Sequence, residues 1–513
     1  MTAATFDDAL TGHAAQRPDA TAMFDVATRL SYRDVDDRTT AIAARFAAAG
    51  IGAGDRVVLI ADNGVHHLVV AFALWRLGAT LVTIYPSSTQ PELNYAIDHA
   101  QAALVVSGSR VVPSVRPVTV DLRVPLVELS DSGALCGLPE DTDPVGGAID
   151  PNALALICFT SGSTARPKAV MHSHSGLLAA ARAYARVWRL RDADIALVAL
   201  PLAWAFGLVT TSMATLTAGG QVVLLQRSDP GDMLRTCVEH RVTFFTGVTT
   251  MFAKMLALLD ADASMARPTD LRLCVSGGEP RNDVAFARWQ TLTGCPVHDV
   301  YAASECFPLV TYDPAQDPQP KAGSAGRVVP DAEMRVVDGA GHDVEPGQPG
   351  EAWARGPALM SGYWRDPELT AAVLTTDGWY RTGDLVHVDA NGYVHVVGRL
   401  TDLIIRGGAN VSPAEVEAAL VGHPDVREVT VVGLPDPEYG QQVVAAVVLE
   451  QSAKADVTRL RAHCAATLAG YKVPTSFVAM AQLPRNPNTG KVQRREVAAL
   501  LADLISTPPG CAP

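Results

Sequence analysis

The sequence predicts an α/β protein with a large N-terminal part and a smaller C-terminal domain. Apolar strand-like runs alternate with helical stretches up to Ser107, and again between residues 153 and 310, a pattern typical of parallel strands joined by crossover helices. After about Pro330 the chain consists of short segments separated by Gly, Pro and Asp, as expected of hairpins. After Gly398 a compact tail alternates strands and helices again.

The N-terminal elements follow from hydrophobic periodicity and glycine breaks. Strands are predicted where short apolar runs are bounded by such breaks, and helices where Ala-rich or amphipathic stretches end at Gly. In chain order they are a helix over Thr39–Ala49, a strand over Arg56–Ala61, a helix over Gly64–Leu77, a strand over Ala79–Tyr85, a helix over Glu92–Ala100 and a strand over Ala103–Ser107.

The C-terminal elements are predicted in the same way. They are a helix near Pro413–Leu420, strands over Val429–Val432 and Gln442–Leu449, and a helix over Val457–Leu468. The change of texture places a domain boundary near Gly398. We therefore divide the chain into an N-terminal domain over residues 1–398, a hinge over 399–402 and a C-terminal domain over 403–513.

Composition bounds the class of protein. A chain of 513 residues is expected to hold more than one domain. With 48% hydrophobic and 19% charged residues, it is neither disordered nor fibrous. The net charge of -13 has no basic run within it, so neither nucleic acid nor an anionic membrane surface is the expected partner.

Cysteine usage and the N-terminus both favour a cytoplasmic location. The 8 cysteines form no C-x-x-C pair and no Cys/His cluster with zinc spacing, which is typical of a reducing compartment. The first residues, MTAATFDDAL, show no basic segment followed by an apolar run, so no secretory signal is expected there.

One uncharged stretch, Ile195–Gln226, is long enough to cross a bilayer. Pro201, Gly207, Gly219 and Gly220 interrupt it. Such breakers favour a strand, loop, helix and strand within a buried α/β core over an integral membrane segment.

The segment Cys158–Ala169, CFTSGSTARPKA, follows an apolar strand over Ala153–Phe159. Small hydroxylated residues around Gly162 leave the backbone free to wrap an anion, and Lys168 adds a positive charge. The P-loop pattern is absent, because no Gly precedes Lys168 and Ala169 follows it. Taken alone, the segment fits either a phosphate loop or an ordinary Ser/Thr-rich turn.

Six further motifs accompany this segment, in a fixed order along the chain. They are GGEP at 277–280, YAASE at 301–305, YRTGDL at 380–385, GR at 398–399, RGGAN at 406–410 and NTGK at 488–491. Together the motifs resemble the adenylate-forming superfamily, which includes acyl- and aryl-CoA synthetases, peptide-synthetase adenylation domains and luciferases. The resemblance extends from about Phe6 to Val497.

The resemblance implies both a fold and a reaction. The fold is a large N-terminal domain of mixed and parallel sheets with helices and a small barrel-like β region, plus a smaller, mobile C-terminal α+β domain. In the reaction, ATP and a carboxylic acid give an acyl-adenylate and pyrophosphate, and a thiol, usually coenzyme A, then displaces AMP. Cations and hydrogen-bond donors at the α-phosphate lower the barrier.

The resemblance also implies which residues bind ATP and magnesium. Tyr301 stacks on adenine, Ser304 faces the α-phosphate, and Glu305 is the Mg²⁺ ligand. Asp384 accepts hydrogen bonds from the ribose hydroxyls, with Arg399 beside it. The β- and γ-phosphates are held by Thr160, Ser161, Gly162, Ser163, Thr164 and Lys168, and adenine lies against Gly278, Glu279 and Pro280.

Further roles concern the acid and its acceptor. Lys491 is implied to bridge the reacting carboxylate and the α-phosphate, while Gly407 and Gly408 let the pantetheine arm of CoA pass. The implied acid pocket contains Trp204, Phe206, Gly207 and Phe307. The competing interpretations are a core tryptophan at Trp204, surface acids at Glu305 and Asp384, a linker charge at Arg399 and a solvated loop lysine at Lys491.

His172 and His174 are two residues apart with no third ligand in sight, so we expect no metal site there.

Several positions depart from the family pattern. Ala165, Ala169 and Ala302 stand where Gly is usual, and Thr401 stands at the hinge position that commonly holds Asp or Lys. We interpret the chain as an ATP-dependent acid–CoA ligase for a small to medium, apolar aliphatic or aromatic acid. The alternatives are transfer to an amine or to a carrier-protein thiol, and a non-catalytic nucleotide-binding relative.

Overall fold

The structure is a computed structural model that describes residues 3–140, 147–160, 167–279, 281–450, 456–486 and 490–506. The chain divides into two compact units. The first comprises Met1–Met334 and Trp353–Arg381, and the second comprises Arg335–Ala352 and Thr382–Pro513. The boundary that we predicted near Gly398, with its hinge, stays a prediction.

The helices of the described residues are mostly amphipathic and several begin at a capping residue. They are α1 (Phe6–Gln16), α2 (Tyr32–Ala48), α3 (Val65–Arg76), α4 (Gln90–Ala100), α5 (Val112–Leu122), α6 (His174–Val187), α7 (Ala214–Thr217), α8 (Pro230–Glu239), α9 (Thr249–Ala261), α10 (Asp283–Thr293), α11 (Pro367–Val373), α12 (Pro413–Val421), α13 (Val457–Ala465) and α14 (Arg494–Ser506). A π-helix covers Phe206–Met213, and 3₁₀ turns cover Leu400–Asp402 and Gly470–Lys472.

The first sixteen strands along the described part of the chain all belong to two large sheets of the first unit. They are β1 (Thr21–Phe24), β2 (Arg29–Ser31), β3 (Arg56–Ile60), β4 (Thr80–Thr83), β5 (Leu104–Gly108), β6 (Leu126–Leu129), β7 (Leu135–Cys136), β8 (Leu154–Thr160), β9 (Lys168–Ser173), β10 (Ile195–Val198), β11 (Gln221–Leu224), β12 (Phe244–Gly247), β13 (Leu273–Gly277), β14 (Val297–Ala303), β15 (Cys306–Thr311) and β16 (Arg327–Val328).

The remaining strands are β17 (Glu333–Val337), β18 (Gly350–Arg355), β19 (Gly362–Tyr363), β20 (Tyr380–Val388), β21 (Val394–Arg399), β22 (Ile404–Arg406), β23 (Ala409–Val411), β24 (Val426–Asp436), β25 (Gly440–Leu449) and β26 (Ser476–Ala479).

Two large mixed sheets form the framework of the first unit. One has nine strands in the order β16-β15-β14-β13-β12-β10-β11-β1-β2, and the other has eight in the order β19-β9-β8-β4-β3-β5-β6-β7. Their central strands pair in parallel and are buried, as crossover helices require. The predicted α/β class is confirmed.

Smaller sheets follow along the chain. The stretch expected to be hairpin-rich and barrel-like forms a four-stranded sheet in the order β17-β18-β20-β21. In the second unit, β23-β22-β25-β24 form a row with β26 paired to β25. Apolar side chains such as Val431, Val443 and Leu420 pack beneath it, which gives the α+β tail a core of its own.

The predicted elements are confirmed, with shifted ends. Helix α2 begins at Tyr32 and not at Thr39, because Ser31 caps it. The Asp34 amide donates to Ser31 Oγ at 3.1 Å, and the Ser31 amide donates to Asp34 Oδ2 at 2.8 Å. This reciprocal pair is a capping box built with Asp.

The uncharged stretch Ile195–Gln226 forms β10, the π-helix with α7, and β11. Val198, Val209 and Val222 in these elements are almost fully buried. The interpretation as part of a buried α/β core is therefore confirmed. Among the residues that the structure describes, no helix combines the length and apolar character needed to cross a membrane.

A buried ion pair anchors the start of β10. The Asp194 side chain is 1% exposed and is paired with Arg272, whose Nε lies 2.6 Å from Asp194 Oδ1. Asp194 also accepts hydrogen bonds from the Arg191 amide at 2.8 Å and Thr243 Oγ1 at 2.9 Å. Burial raises the pKa of Asp194, but the Arg272 hydrogen bonds and charge outweigh this effect and the net pKa is lowered.

Arg272→Ala is expected to destabilise the protein by about 3–5 kcal/mol, because it leaves a buried carboxylate without its cation. The control is Arg241→Ala, which removes a largely exposed partner of Asp270; there we expect little change. Scanning calorimetry of both variants measures the difference, and equal melting temperatures would contradict the role of Asp194. Since the folded pKa lies below the ordinary 3.8, this stabilisation is complete above that pH and is lost as the pH falls through the folded pKa.

Candidate active site

The predicted phosphate segment joins two antiparallel strands of the eight-stranded sheet. Thr160 ends β8 and pairs with Lys168, which begins β9. The connecting residues lie outside the described part of the chain; they include Ser161, Gly162, Ser163, Thr164 and Ala165. The structure thus places the two ends of the predicted loop side by side, where β8 ends and β9 begins, with the buried strand β4 next to β8.

The YAASE motif lies on the hairpin of β14 and β15, where Tyr301 pairs with Val310 and Ala303 with Cys306. Ser304 and Glu305 occupy its turn. His172, on β9, donates from Nε2 to the Ser304 carbonyl at 2.7 Å, because a carbonyl can only accept. His172 therefore ties β9, the strand that begins at Lys168, to the Ser304–Glu305 turn of the other sheet.

His172 is a neutral core residue and not an acid or base. It is 1% exposed, its ring centre lies 4.7 Å from that of Phe307, and burial lowers its pKa to about 4. Burial likewise lowers the pKa of His174 to about 4. Sequence reasoning had assigned neither residue a contact, since a sequence does not show which strands meet.

Glu305 is a buried carboxylate whose side chain accepts from one neutral donor within the part of the chain that the structure describes. It is 8% exposed, and its Oε1 accepts from the Tyr363 hydroxyl at 2.8 Å. Its charge also helps to raise the pKa of the buried thiols of Cys158 and Cys306 to about 12, after the larger effect of burial. The alternative of a surface acid at Glu305 does not fit this burial.

The surroundings of Glu305 fit a bound cation. Within the described ranges no Lys, Arg or His forms an ion pair with it, although a buried charge needs a counter-ion or a metal. Those ranges also contain no cluster of three or more His, Cys, Asp or Glu side chains suited to a metal. One carboxylate completed by phosphate oxygens and water is a normal arrangement for Mg²⁺.

The GGEP motif lies at the end of β13. Gly277 pairs with Val300 of β14, so the carboxyl ends of two parallel strands bring this motif close to Tyr301. The Glu279 carboxylate accepts from the Thr250 amide at 2.8 Å and from Thr250 Oγ1 at 3.3 Å. Glu279 thereby anchors the segment to the first turn of α9. Pro280 lies outside the described residues.

Trp204 and Phe206 approach the same strand end. Their rings are 5.4 Å apart and perpendicular, and Phe206 Cε1 lies 3.2 Å from where a Cβ on Gly277 would be. Gly207 packs closely against the backbone, and a Cβ there would clash with the Pro201 carbonyl oxygen. Phe307 is 3% exposed and lines a cavity of about 10 Å³.

In the second unit, Asp384 and Arg399 face each other across β20 and β21. Arg399 Nε donates to Asp384 Oδ1 at 2.8 Å. The Asp384 side chain is 7% exposed and that of Arg399 is 56% exposed. Asp384 is therefore not a surface acid, and Arg399 is paired and not a plain linker charge.

The predicted acceptor loop and lysine also lie in the second unit. Gly407 and Gly408 form the turn between β22 and β23 with φ of +57° and +82°, a left-handed conformation that favours glycine. The Gly407 amide donates to the Tyr439 carbonyl at 2.8 Å. Lys491 has an exposed side chain, and its carbonyl accepts from the Asn486 amide at 2.8 Å.

Two family models match this chain. Residues 10–364 match the model of the AMP-binding enzyme family, and residues 415–491 match that of the AMP-binding enzyme C-terminal domain. The chain belongs to the AMP-binding enzyme family. The predicted resemblance to the adenylate-forming superfamily is thereby confirmed.

Relatives of this AMP-binding enzyme cover almost its whole length. It is 35% identical to a feruloyl-CoA synthase of an Amycolatopsis species over 94% of this chain and 96% of the relative. It is 34% identical to a sulfoacetate–CoA ligase of Cupriavidus necator over 88% of each chain. The crystal structure of ATP-bound MatB from Rhodopseudomonas palustris has a TM-score of 0.90 at 29% identity, covering 98% of this chain and 99% of that one.

Sequence reasoning did not select Tyr363 for this AMP-binding enzyme's candidate site. Tyr363 contacts Glu305 through its hydroxyl, and its ring lies 5.3 Å from Lys168 Nζ. Its short run, GYW, carries no charge and no spacing that indicates chemistry. Only the pairing of β19 with β9 brings Tyr363 there.

Proposed function

We propose that this AMP-binding enzyme is an AMP-forming acid–CoA ligase that uses ATP, Mg²⁺ and coenzyme A. The observation that carries the proposal is the buried Glu305 carboxylate, which pairs with no cationic side chain among the described residues and lies on the turn that His172 ties to β9, the strand that begins at Lys168. Such a carboxylate is suited to a cation held between protein and phosphate oxygens. The names of the CoA-ligase relatives support the choice of reaction.

The chemistry proceeds in two balanced steps. A carboxylate oxygen of the acid attacks the α-phosphorus of ATP, the bond from phosphorus to the bridging oxygen breaks, and pyrophosphate leaves. The sulfur of CoA then attacks the acyl carbon and loses its proton to solvent, the bond from the acyl carbon to the phosphate oxygen breaks, and AMP leaves. In this proposal Lys168 offsets negative charge on the outer phosphates, Ser304 faces the α-phosphate, and Mg²⁺ on Glu305 supplies charge neutralisation.

Adenosine recognition is proposed for four of the described residues. Tyr301 stacks on adenine, with Gly278 and Glu279 beside it. Asp384, oriented by Arg399 at 2.8 Å, accepts from the ribose hydroxyls. A buried acceptor that carries charge makes strong hydrogen bonds, which gives Asp384 a distinct role in nucleotide affinity.

The acid and the acceptor are proposed to meet near Trp204 and Phe206. Their aromatic surfaces favour a small, apolar aliphatic or aromatic acid. The Gly407–Gly408 turn is proposed to pass the pantetheine arm, because it exposes backbone without side chains. Residues 399–402 are proposed as the hinge of a mobile domain that carries Lys491.

Pyrophosphate release with a panel of aliphatic and aromatic acids tests the first step. We expect release that depends on acid, ATP and Mg²⁺ together. Addition of CoA is then expected to give a thioester and AMP, detected by mass spectrometry. An amide formed with an added amine, or an acylated carrier protein, in place of the thioester would contradict CoA as acceptor. No adenylate with any acid would overturn the proposal.

Asp384→Asn is expected to weaken ATP binding by about 10–100-fold, because a hydrogen bond to a charged acceptor contributes about 1.5–3 kcal/mol. Isothermal titration of ATP in the presence of Mg²⁺ measures the change. Asp343→Asn is the control, since the Asp343 side chain is 67% exposed and pairs with Arg335. Equal ATP affinity of the two variants would contradict the ribose assignment.

A further inference from the structure

The backbone around Tyr363 is hydrogen-bonded along β9, the strand that begins at Lys168. Gly362 pairs with Met171 and Tyr363 with Val170 in antiparallel register. The Ser361 amide donates to the Met171 carbonyl and the Trp364 amide to the Ala169 carbonyl, both at 2.8 Å. Tyr363 is thus placed by the main chain and does not depend on its own side-chain contacts for its position.

One face of β9 carries both Lys168 and His172. Lys168, Val170 and His172 lie on the same face, because successive side chains point to opposite sides. Tyr363, directly opposite Val170, lies on that face as well. This explains why Lys168 Nζ lies 5.3 Å from the Tyr363 ring centre.

The turn that carries Glu305 is held both by His172 of β9 and by the segment 360–363. His172 holds the turn through the Ser304 carbonyl at 2.7 Å. The Glu305 carbonyl accepts from the Met360 amide at 2.8 Å, and the Glu305 carboxylate accepts from the Tyr363 hydroxyl at 2.8 Å. Main chain and side chain of Glu305 are therefore both held by the segment 360–363.

We propose that Tyr363 is a positioning residue for the cation site, which aims the Glu305 carboxylate at the metal through its hydroxyl. This inference rests on the proposed function. With Oε1 engaged by the Tyr363 hydroxyl, the carboxylate presents Oε2, which has no hydrogen-bond partner among the described residues. Partners of this kind orient metal ligands, and their loss costs about 10–100-fold in metal affinity.

Tyr363→Phe in the full chain tests the inference. Equilibrium ATP binding, without acid, is measured by calorimetry over a series of Mg²⁺ concentrations. We expect the Mg²⁺ concentration for half-maximal binding to rise by about 10–100-fold, with affinity restored at saturating Mg²⁺. Tyr32→Phe is the matched control, because it removes a fully buried hydroxyl that donates to the Gly220 carbonyl at 2.7 Å. Its Mg²⁺ dependence is expected to match that of the unmodified protein.

A double-mutant cycle separates positioning from a loss of packing. In a Glu305→Gln background, Tyr363→Phe is expected to leave the Mg²⁺ dependence unchanged, since the charged ligand is already absent. Equal Mg²⁺ dependence of Tyr363→Phe and the unmodified protein, or weaker ATP binding by the same factor at every Mg²⁺ concentration, would overturn the role of Tyr363. An unmodified protein whose ATP binding ignored Mg²⁺ would overturn the proposed cation site itself.

Discussion

Lys491→Ala is expected to slow acyl-adenylate formation by about 10²–10³-fold. It is expected to leave thioester formation from supplied adenylate and CoA close to the unmodified rate. In the proposed reaction the lysine ammonium neutralises charge between the acid carboxylate and the α-phosphate, and that charge develops only in the first step. Removing a donor made for one transition state lowers the rate of that step alone.

The Lys491 side chain is exposed, and the hydrogen bond of its segment to the Asn486 amide is made by the main chain, so truncation leaves that bond in place. Single-turnover assays of the two half-reactions give the result. Lys254→Ala, at an exposed position of α9, is the control. Equal losses in both half-reactions would refute a role for Lys491 confined to adenylation.

Glu305→Gln is expected to reduce adenylate formation by about 10²–10³-fold while the protein becomes no less stable. The amide keeps the size of the side chain and can still accept from the Tyr363 hydroxyl, but it carries no charge to bind a cation. Because a buried charge without a counter-ion is costly, the neutral side chain is expected to leave the melting temperature unchanged or raised.

The opposite signs of the two effects make the Glu305 test specific. Pyrophosphate release at limiting Mg²⁺ and scanning calorimetry are measured on the same preparations. Glu333→Gln serves as control, since the Glu333 side chain is 61% exposed and pairs with Arg355. Full activity of Glu305→Gln at limiting Mg²⁺ would show that this carboxylate holds no cation. A lowered melting temperature would show that its charge is compensated in the folded protein.

Most helices and strands could be predicted from local sequence patterns. Alternating apolar runs and glycine breaks predicted the elements up to Ser107 and within the tail, because burial in a parallel sheet leaves a direct imprint on composition. The ends were less visible. The predicted strand Val429–Val432 is part of β24, whose pairing with β25 continues to Asp436 and Gly440. Hairpin pairing adds polar residues to a strand, and no apolar run marks them.

Some residues of the candidate site could be predicted from the sequence, and others could not. Lys168 and Glu305 stand in motifs that could be read along the chain, and the structure brings both to the face of β9 that Tyr363 adjoins. Tyr363 and His172 could not be assigned in advance. Their contacts join residues 58 and 132 positions apart in the sequence, and nothing in either local segment encodes the partner.

By itself, the sequence determined the α/β class, the membership of the AMP-binding enzyme family and the chemical types at the candidate site, since these depend on composition, periodicity and contiguous motifs. Only the tertiary structure decided that Glu305 is buried and accepts from the Tyr363 hydroxyl and that Asp384 is buried against Arg399. Desolvation and hydrogen bonding depend on which strands become neighbours, and that choice is made by the packing of the whole sheet.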